Sequence, residues 1–328
     1  MLKKNLVLLS YGRISEYQRA IFSILSFYSW SDEADLKKVR TIVYTDDPSF
    51  FRKHLSHIEI EYVMLTNELL MEMLGDSDYI HRRKVGVIDL TFKKYPAGHL
   101  LFIDSDTFFI GNPAKILNGF STGTSFMHKR EYNFEEGLQF FSAFNQGKYP
   151  KAFINYISDR DFVVNGKTER FSKHDYSWNS GVLGLNAAFS ACIPDVFKLT
   201  DEFYVNSQWF ISEQLAFALV LQKTTAIVPT EELVLHYWGK RQKVLMDAFI
   251  GDLFPDQINE LKEKSYFRSL TYKLKKNVED DLVLEQAVLA LSQKHWKYGL
   301  RKSLQVILRN PVRLTSYKEL LSAVKPES

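Results

Sequence analysis

The sequence predicts an α/β fold in which a mixed, mainly parallel β-sheet is flanked by helices and followed by a helical, basic C-terminal extension. Two observations support this prediction. Over the first hundred residues, short apolar runs alternate with segments of helical periodicity, which is typical of parallel strands joined by right-handed crossover helices. Beyond about Met246 the chain follows amphipathic helical patterns. We therefore predict one α/β domain over residues 1–245 and an extension over residues 246–328.

Each predicted element rests on its local pattern. A helix is expected to begin at Ser15, because Gln18 follows at the spacing of a capping box. Residues 131–176 are rich in aromatic rings but are interrupted by glycines and charges, so no element is assigned there. The strands are predicted at Leu6–Ser10, Val39–Thr45, Ile58–Leu65, His99–Ile103, Ser180–Leu185, Thr225–Val228 and Leu233–Tyr237, and the helices at 15–30, Glu68–Leu74, Arg82–Lys94 and Glu213–Leu221.

The charge of the chain is small overall but unevenly distributed. A formal net charge of +3 argues against a protein that coats nucleic acid. Residues 265–328 nevertheless contain twelve Lys and Arg against six Asp and Glu. This basic section predicts a peripheral contact with an anionic membrane surface or a charged acceptor. The alternative is an ordinary solvated helical face.

The cysteine content and the N-terminal pattern predict a cytoplasmic protein. Cys192 is the single cysteine, which excludes an intramolecular disulfide and a zinc site built from several thiolates. The N-terminal apolar run is too short for a signal peptide and is interpreted as the first strand. No run approaches the length of a transmembrane helix, so none is expected.

The strongest local motif is an Asp-x-Asp sequence, Asp104-Ser105-Asp106, directly after the apolar strand that ends at Ile103. Ligands of parallel sheets sit beyond the carboxyl ends of the strands, and Asp46 ends another strand at the same edge. Two close carboxylates favour a cation between them, and Mg²⁺ or Mn²⁺ also bridges to substrate phosphates. The alternative is that the two aspartates only cap a turn.

A second motif follows the predicted strand that begins at Leu233. This strand contains His236, and Gly239, Lys240 and Arg241 follow shortly after it. An imidazole would complete a mixed oxygen and nitrogen site that suits Mn²⁺, and a glycine followed by lysine is suited to a diphosphate. A hydrogen-bonded structural histidine is the alternative.

Three weaker motifs complete the candidate site. Asn179 and Ser180 precede a glycine-interrupted strand and offer groups that bind sugar hydroxyls, although close backbone packing alone would also explain the glycines. Glu213 and Gln214 begin a helix, where an acidic residue is favourable in any case. The basic run at residues 82–84 lies upstream of the strand that ends at Ile103. It is either a diphosphate contact or a solvated helix start. The chain has no P-loop and no Gly-x-Gly-x-x-Gly turn, which disfavours those nucleotide-binding classes.

With these motifs in order, residues 3–245 resemble the GT-A glycosyltransferases, particularly the glycogenin and lipopolysaccharide-galactosyltransferase type. One departure is that Gly239 and Lys240 are adjacent, whereas the family spaces them further apart. The resemblance implies metal ligands at Asp104, Asp106 and His236; diphosphate contacts at Gly239 and Lys240; a basic residue near the donor at Lys84 or Arg83; donor-binding segments that include Tyr11, Thr45, Asp46 and Ser105; and sugar-binding or reaction-centre residues at Asn179, Ser180, Glu213 and Gln214.

The implied reaction is transfer of a hexosyl group from a nucleotide-diphosphate sugar, with UDP as the expected nucleotide, to an acceptor hydroxyl. The resemblance implies Mn²⁺ or Mg²⁺, retention of configuration, and a glycan, lipid-linked or protein acceptor, by analogy in cell-surface polysaccharide assembly. Inversion would instead need a carboxylate base, for which Glu213 is the candidate. A haloacid-dehalogenase-like phosphatase is the main alternative, but it expects Thr or Val where this chain has Phe108. A sugar-binding relative without turnover is a further alternative.

Overall fold

A computed structural model describes residues 3–256, 263–311 and 314–324 of the chain. These residues form two compact units, Met1–His236 and Tyr237–Ser328. The boundary predicted after residue 245 falls inside a helix of the second unit and, as a domain assignment, stays a prediction.

The first unit contains strands and helices in alternation. Its strands are β1 (Lys4–Leu9), β2 (Val39–Thr45), β3 (Ile60–Met64), β4 (Leu100–Ile103), β5 (Thr107–Phe109), β6 (Thr124–Met127), β7 (Arg130–Asn133), β8 (Phe162–Val164), β9 (Lys167–Glu169), β10 (Tyr176–Trp178), β11 (Val182–Leu185), β12 (Ala226–Pro229) and β13 (Val234–His236). Its helices are α1 (Ile14–Trp30), α2 (Glu33–Leu36), α3 (Pro48–Leu55), α4 (Asn67–Leu74), α5 (Arg82–Lys94), α6 (Ala114–Leu117), α7 (Phe134–Ala143), α8 (Lys148–Ile157), α9 (Ile193–Ser207) and α10 (Ser212–Thr224), with a 3₁₀ turn at Ala187–Cys192.

The main sheet has the strand order β12-β6-β11-β4-β1-β2-β3. The pairs β1–β2, β1–β4, β2–β3 and β6–β12 are parallel, whereas β11 runs antiparallel to both β4 and β6. The predicted mixed, mainly parallel α/β fold is confirmed. Every residue of β4 is buried, as expected for a central strand covered on both faces. The carboxyl end of β4 therefore lies in the middle of one edge of the sheet.

Several local predictions differ from the structure. The capping box at Ser15 is wrong, because α1 begins one residue earlier, with Arg13 at the N-cap position and no side-chain cap. The unassigned segment 131–176 contains α7, α8 and the hairpin β8–β9. Asn133 and Glu136 form the capping box of α7, so the Asn-x-x-Glu spacing was the signal that would have located it.

The aromatic rings of this segment belong mainly to the core, as predicted. Phe134 and Phe153 pack edge to face, and Phe153 contacts Phe203 of α9 in the same way. Phe162 stacks on Phe171. All five rings are buried. The short elements of residues 131–176 are therefore held by side-chain burial rather than by strong local propensity.

The second unit is helical. It consists of α11 (Lys240–Asp256), α12 (Lys264–Ser292), α13 (Trp296–Arg309) and α14 (Leu314–Val324). Leu284, Leu291, Val306 and Leu320 form the centre of its apolar core. None of the helices within the described ranges is long and apolar enough to cross a membrane.

Candidate functional site

The candidate site is built at the carboxyl end of β4. Asp104 follows that strand, and its backbone N–H donates to the carbonyl oxygen of Gly181 at 2.9 Å. The turn then enters β5, which pairs antiparallel with β13 so that Thr107 lies opposite His236. This pairing places His236 next to Asp106, although 130 residues separate them in the sequence. The three predicted metal ligands are thus brought together by one strand pair.

The three ligands form a compact donor set. Asp104, Asp106 and His236 each offer one ligand atom, and these three atoms lie within 4.8 Å of one another. Nε2 of His236 is 3.2 Å from Oδ1 of Asp106, and both side chains are largely buried. The Asp104 side chain is 24% exposed, which leaves the set open on one side. Two carboxylates and an imidazole are a suitable donor set for Mn²⁺ or Mg²⁺, so the residues fit the expected divalent cation.

The ring of His236 is held on two sides. Gly181 lies so close that a Cβ atom there would come within 2.2 Å of Nδ1 of His236, so no larger residue fits without displacing the ring. His128 packs against the ring edge to face, with ring centroids 5.5 Å apart. Burial lowers the pKa of His128 to about 3, and His236 adds to that effect. A neutral, buried His128 is therefore a packing partner of His236, and no local sequence pattern distinguishes it.

Lys84 of α5 is a buried cation beside the candidate metal ligands. Its Nζ donates to Oδ2 of Asp104 at 2.9 Å and to Oγ of Ser180 at 3.1 Å, and lies 3.5 Å from Oε1 of Glu213. Burial alone lowers the pKa of Lys84, but the nearby carboxylates of Asp104 and Glu213 outweigh it and raise that pKa above its ordinary value. Lys84 therefore remains charged and links α5 to two parts of the site.

Glu213, at the start of α10, has both carboxylate oxygens engaged. Oε2 accepts from the hydroxyl of Tyr79 at 2.5 Å, and Oε1 accepts from Ser180 at 3.3 Å. Burial alone raises the pKa of Glu213. The ammonium of Lys84, the nearby His81 and the hydrogen bond from Tyr79 together outweigh burial and leave that pKa below its ordinary value. The pKa of Tyr79 is raised, mainly by burial and to a smaller extent by the negative charge of Glu213. Glu213 is thus an ionised, fully paired carboxylate.

Asn179, Ser180 and Gln214 form a buried polar group next to this ion pair. Asn179 Oδ1 lies 2.7 Å from Nδ1 of His236. Gln214 Oε1 accepts from the backbone N–H of Ser180 at 3.2 Å. Glu131 of β7, which no local sequence motif marks, accepts hydrogen bonds from Asn179 and Gln214 at 3.3 and 3.0 Å. The structure therefore brings the predicted reaction-centre residues together and adds Glu131 to them.

Ser105 lies between the two aspartates but faces α1. Its hydroxyl donates to Oε2 of Glu16 at 2.8 Å, and Oε1 of Glu16 accepts from Arg19 at 2.7 Å. Glu16 thereby anchors the turn that carries the metal ligands. Glu16 has no distinguishing local pattern, because a glutamate in the first turn of a helix is common.

The predicted donor-binding segments lie at the ends of β1 and β2. Arg83 donates to the hydroxyl of Tyr11 at 2.8 Å and does not share the contacts of Lys84. Asp46 is exposed and accepts from the backbone N–H of Gly12 at 3.0 Å. Thr45 is buried. Their roles in binding a nucleotide stay predictions.

Gly239 and Lys240 belong to the second unit. Lys240 is exposed at the start of α11. Gly239 packs so closely on Gln242 that a Cβ atom would come within 1.7 Å of its side-chain oxygen. This close packing explains the glycine without a ligand. A diphosphate contact at either residue stays a prediction.

Comparisons with known proteins return structural likeness only. No family model and no curated protein matches the chain. Among solved structures, it is similar to mouse xyloside xylosyltransferase 1 (10% identity, 70% of this chain and 86% of that chain, TM-score 0.45). It is also similar to the galactosyltransferase LgtC (13% identity, 78% of this chain and 99% of that chain, TM-score 0.45). A third similar structure is GlyE of Streptococcus pneumoniae (11% identity, 82% of this chain and 64% of that chain, TM-score 0.47). At TM-scores below 0.5 these likenesses carry no functional assignment.

Proposed function

We propose that the chain is a metal-dependent glycosyltransferase, which moves a hexosyl group from a nucleotide-diphosphate sugar, with UDP as the expected nucleotide, to an acceptor hydroxyl. The observation that supports this proposal is the convergence of Asp104, Asp106 and His236 at a central strand end. The buried ion pair of Lys84 and Glu213 lies directly beside them. The buried polar group that adjoins this pair consists of Asn179, Ser180 and Gln214. A cation site next to buried hydrogen-bonding groups suits a substrate that contains both a diphosphate and a sugar.

Asp104, Asp106 and His236 would hold the cation. A mixed oxygen and nitrogen set suits Mn²⁺ at least as well as Mg²⁺. When bound, the cation supplies Lewis-acid neutralisation of charge on the departing diphosphate. Gly239 and Lys240 are proposed as additional diphosphate contacts, and the segments that contain Tyr11, Thr45 and Asp46 as the nucleoside contacts, on their places in the sequence.

The state of Glu213 supports retention rather than inversion. An inverting enzyme needs a carboxylate that accepts the proton of the acceptor hydroxyl. Glu213 is buried, is paired with Lys84 and Tyr79, and has a pKa below its ordinary value, all of which make it a poor proton acceptor. We therefore assign Glu213 to the positioning of Lys84 and Ser180. Asn179, Ser180 and Gln214 are proposed as contacts of the transferred sugar.

The second unit is proposed to contact an anionic membrane surface through α13. Five exposed apolar residues recur along one face of this helix. The helix carries four basic residues and no acidic one. An exposed apolar stripe beside basic residues is typical of helices that lie in the interfacial region of anionic membranes. The stripe consists of Trp296, Leu300, Leu304, Ile307 and Leu308, and the basic residues are Lys297, Arg301, Lys302 and Arg309.

The proposed activity is tested with a panel of nucleotide sugars, by following release of nucleotide diphosphate with and without Mn²⁺. We expect metal-dependent release from one or more donors. Asp106→Asn should reduce it by about 100-fold or more, because metal neutralisation contributes several kcal/mol. Asp159→Asn is the matched control, since Asp159 is exposed and its left-handed backbone accommodates asparagine. Release that ignores Mn²⁺ or survives Asp106→Asn contradicts the proposal, and hydrolysis of a generic phosphomonoester in its place indicates a phosphatase.

A further inference from the structure

Glu131 accepts three hydrogen bonds behind the candidate metal ligands. Its carboxylate lies on β7 and receives the hydroxyl of Ser177 at 3.0 Å, the amide of Asn179 at 3.3 Å and the amide of Gln214 at 3.0 Å. An ionised carboxylate has no hydrogen to donate, so it only accepts hydrogen bonds. Each side-chain amide must therefore turn its NH₂ group toward Glu131 and its oxygen away from it.

The orientation of the Asn179 amide is determined at both ends. Its Nδ2 donates to Oε1 of Glu131, and its Oδ1 accepts the backbone N–H of Gly181 at 3.0 Å. The reversed amide would place its oxygen against the carboxylate and its NH₂ group against the N–H of Gly181. Both contacts would then be repulsive, so the reversed orientation is disfavoured.

This orientation decides which nitrogen of His236 carries the proton. Oδ1 of Asn179 lies 2.7 Å from Nδ1 of His236. Because that oxygen only accepts, Nδ1 is the protonated nitrogen of the neutral ring. Nε2 then presents a lone pair on the side of Asp106, whose Oδ1 is 3.2 Å away. A lone pair and a carboxylate oxygen at this distance repel each other unless a proton or a metal cation lies between them.

Gln214 is oriented by the same carboxylate. Its Nε2 donates to Oε2 of Glu131 at 3.0 Å and to Oγ of Ser177 at 3.2 Å, while its Oε1 accepts the backbone N–H of Ser180. One side chain thus fixes two amides that face the candidate site. A glutamine at position 131 has a single side-chain oxygen, so it cannot serve both amides as the carboxylate does.

We propose that Glu131 is a positioning residue that acts through Asn179 to keep His236 in its Nδ1-protonated form, so that Nε2 is available to a divalent cation. The part of this proposal that concerns a cation rests on the proposed function. The part that concerns the tautomer of His236 is a property of the metal-free protein. The two parts are therefore tested by separate measurements.

The tautomer is measured by nitrogen-15 NMR of the metal-free, histidine-labelled chain over a pH series, and it is taken from the spectra in which one of the two ring nitrogens of His236 is unprotonated. The His236 signals are identified by their loss in His236→Gln. We expect wild type to show Nδ1–H with an unprotonated Nε2, and Asn179→Ala and Glu131→Gln to populate the other tautomer. Glu135→Gln, which neutralises a partly exposed glutamate that is paired with Lys173 at the surface, should match wild type. A wild-type His236 protonated at Nε2, or an unchanged tautomer in Glu131→Gln, overturns the proposal.

Metal affinity is measured by Mn²⁺ electron paramagnetic resonance on the same proteins. Loss of a group that orients a ligand weakens metal binding by about 10- to 100-fold, and we expect Glu131→Gln to fall in this range relative to Glu135→Gln. In the Asn179→Ala background, Glu131→Gln should add little, because its effect passes through Asn179. An additive loss, or a Glu131→Gln affinity within about twofold of the control, overturns the proposal.

Two outcomes separate this inference from the proposed function. If wild type binds no Mn²⁺, the metal site of the proposed function is contradicted, while the NMR result still decides the tautomer. If Glu131→Gln does not fold, the wild-type tautomer and Asn179→Ala decide the proposal, because neither depends on that variant. A wild-type Nδ1–H that Asn179→Ala leaves unchanged overturns the role of Asn179 and with it that of Glu131.

Discussion

At the scale of single residues, Lys84 links the metal-ligand turn to the buried polar group. Its ammonium contacts Asp104 and Glu213, which come from the ends of β4 and the start of α10. Lys84 and Glu213 are both buried. The intact pair adds little net stability, but a charge that loses its partner in such an environment is costly, so removal of either member is expected to destabilise the fold.

We predict that Lys84→Met lowers the free energy of unfolding by about 3–5 kcal/mol at neutral pH, because it leaves Glu213 buried without its counter-charge. The measurement is urea unfolding. Lys93→Met is the control, since Lys93 lies on the same helix, is 72% exposed and pairs only with Asp89 at the surface. Its expected cost is about 0–1 kcal/mol. Equal losses in the two variants would contradict a role for the buried pair.

The pH dependence of this difference has a definite sign. The folded-state pKa of Glu213 lies below its ordinary value of 4.5. Its stabilising contribution is therefore present above pH 4.5 and is lost as the pH falls through the folded-state pKa. The deficit of Lys84→Met relative to wild type should accordingly be largest near neutrality and shrink as the pH falls, because protonation removes the unpaired charge of Glu213 in the variant. A deficit that grows toward acidic pH would show that another group is responsible.

At the scale of elements, α13 differs from the other described helices of the second unit by combining an exposed apolar stripe with basic residues and no acidic one. Its buried side is formed by Gly299 and Val306, whereas Leu300, Leu304 and Leu308 are 62%, 56% and 73% exposed. Adjacent turns place these three leucines on one side of the helix. An apolar stripe of this kind on a helix without acidic residues needs an explanation other than core packing.

We predict that the double replacement of Leu304 and Leu308 by glutamine weakens binding to anionic vesicles by about 10-fold or more. The reason is that a leucine side chain fully buried in the membrane contributes about 1.5–3 kcal/mol to binding. Binding is measured by co-sedimentation of the full chain with vesicles of anionic and of neutral lipid. The control replaces Val205 and Val244, which are 70% and 64% exposed, with glutamine. Vesicle binding that is equal in both double variants would contradict the proposed contact.

At the scale of the whole molecule, the chain consists of two compact units, each with its own apolar core. The three candidate metal ligands all belong to the first unit. A ligand that binds only the folded form stabilises the unit that holds it. Metal binding is therefore expected to act on the unfolding of that unit.

We predict that Mn²⁺ at about 100 times its dissociation constant stabilises the first unit by about 2.7 kcal/mol, which corresponds to about 5–10 °C in its melting temperature. Differential scanning calorimetry with Mn²⁺ and with a chelator measures this shift. Asp106→Asn should show a much smaller one. An equal shift in that variant would place the Mn²⁺ at another site.

The sequence alone determined the elements whose signals are local. A short apolar run, Leu100–Ile103, predicts a buried strand, and the carboxylates that follow it predict a site at its end. The alternation of strands and helices up to Ile103 is likewise readable, because periodicity and propensity act within a few residues. The mixed, mainly parallel sheet was predicted from these patterns and from the resemblance.

Only the tertiary structure decided which distant residues share the site. His236 was proposed as a ligand from motif order, but the pairing of β13 with β5 is what places it beside Asp106. Glu131 and His128 had no distinguishing local pattern, and their roles come from contacts with Asn179 and His236. Hydrogen bonds and ion pairs depend on atomic separations of a few ångströms, which are set by the packing of the whole sheet. The sequence thus located the strand end, and the fold assembled the polar groups around it.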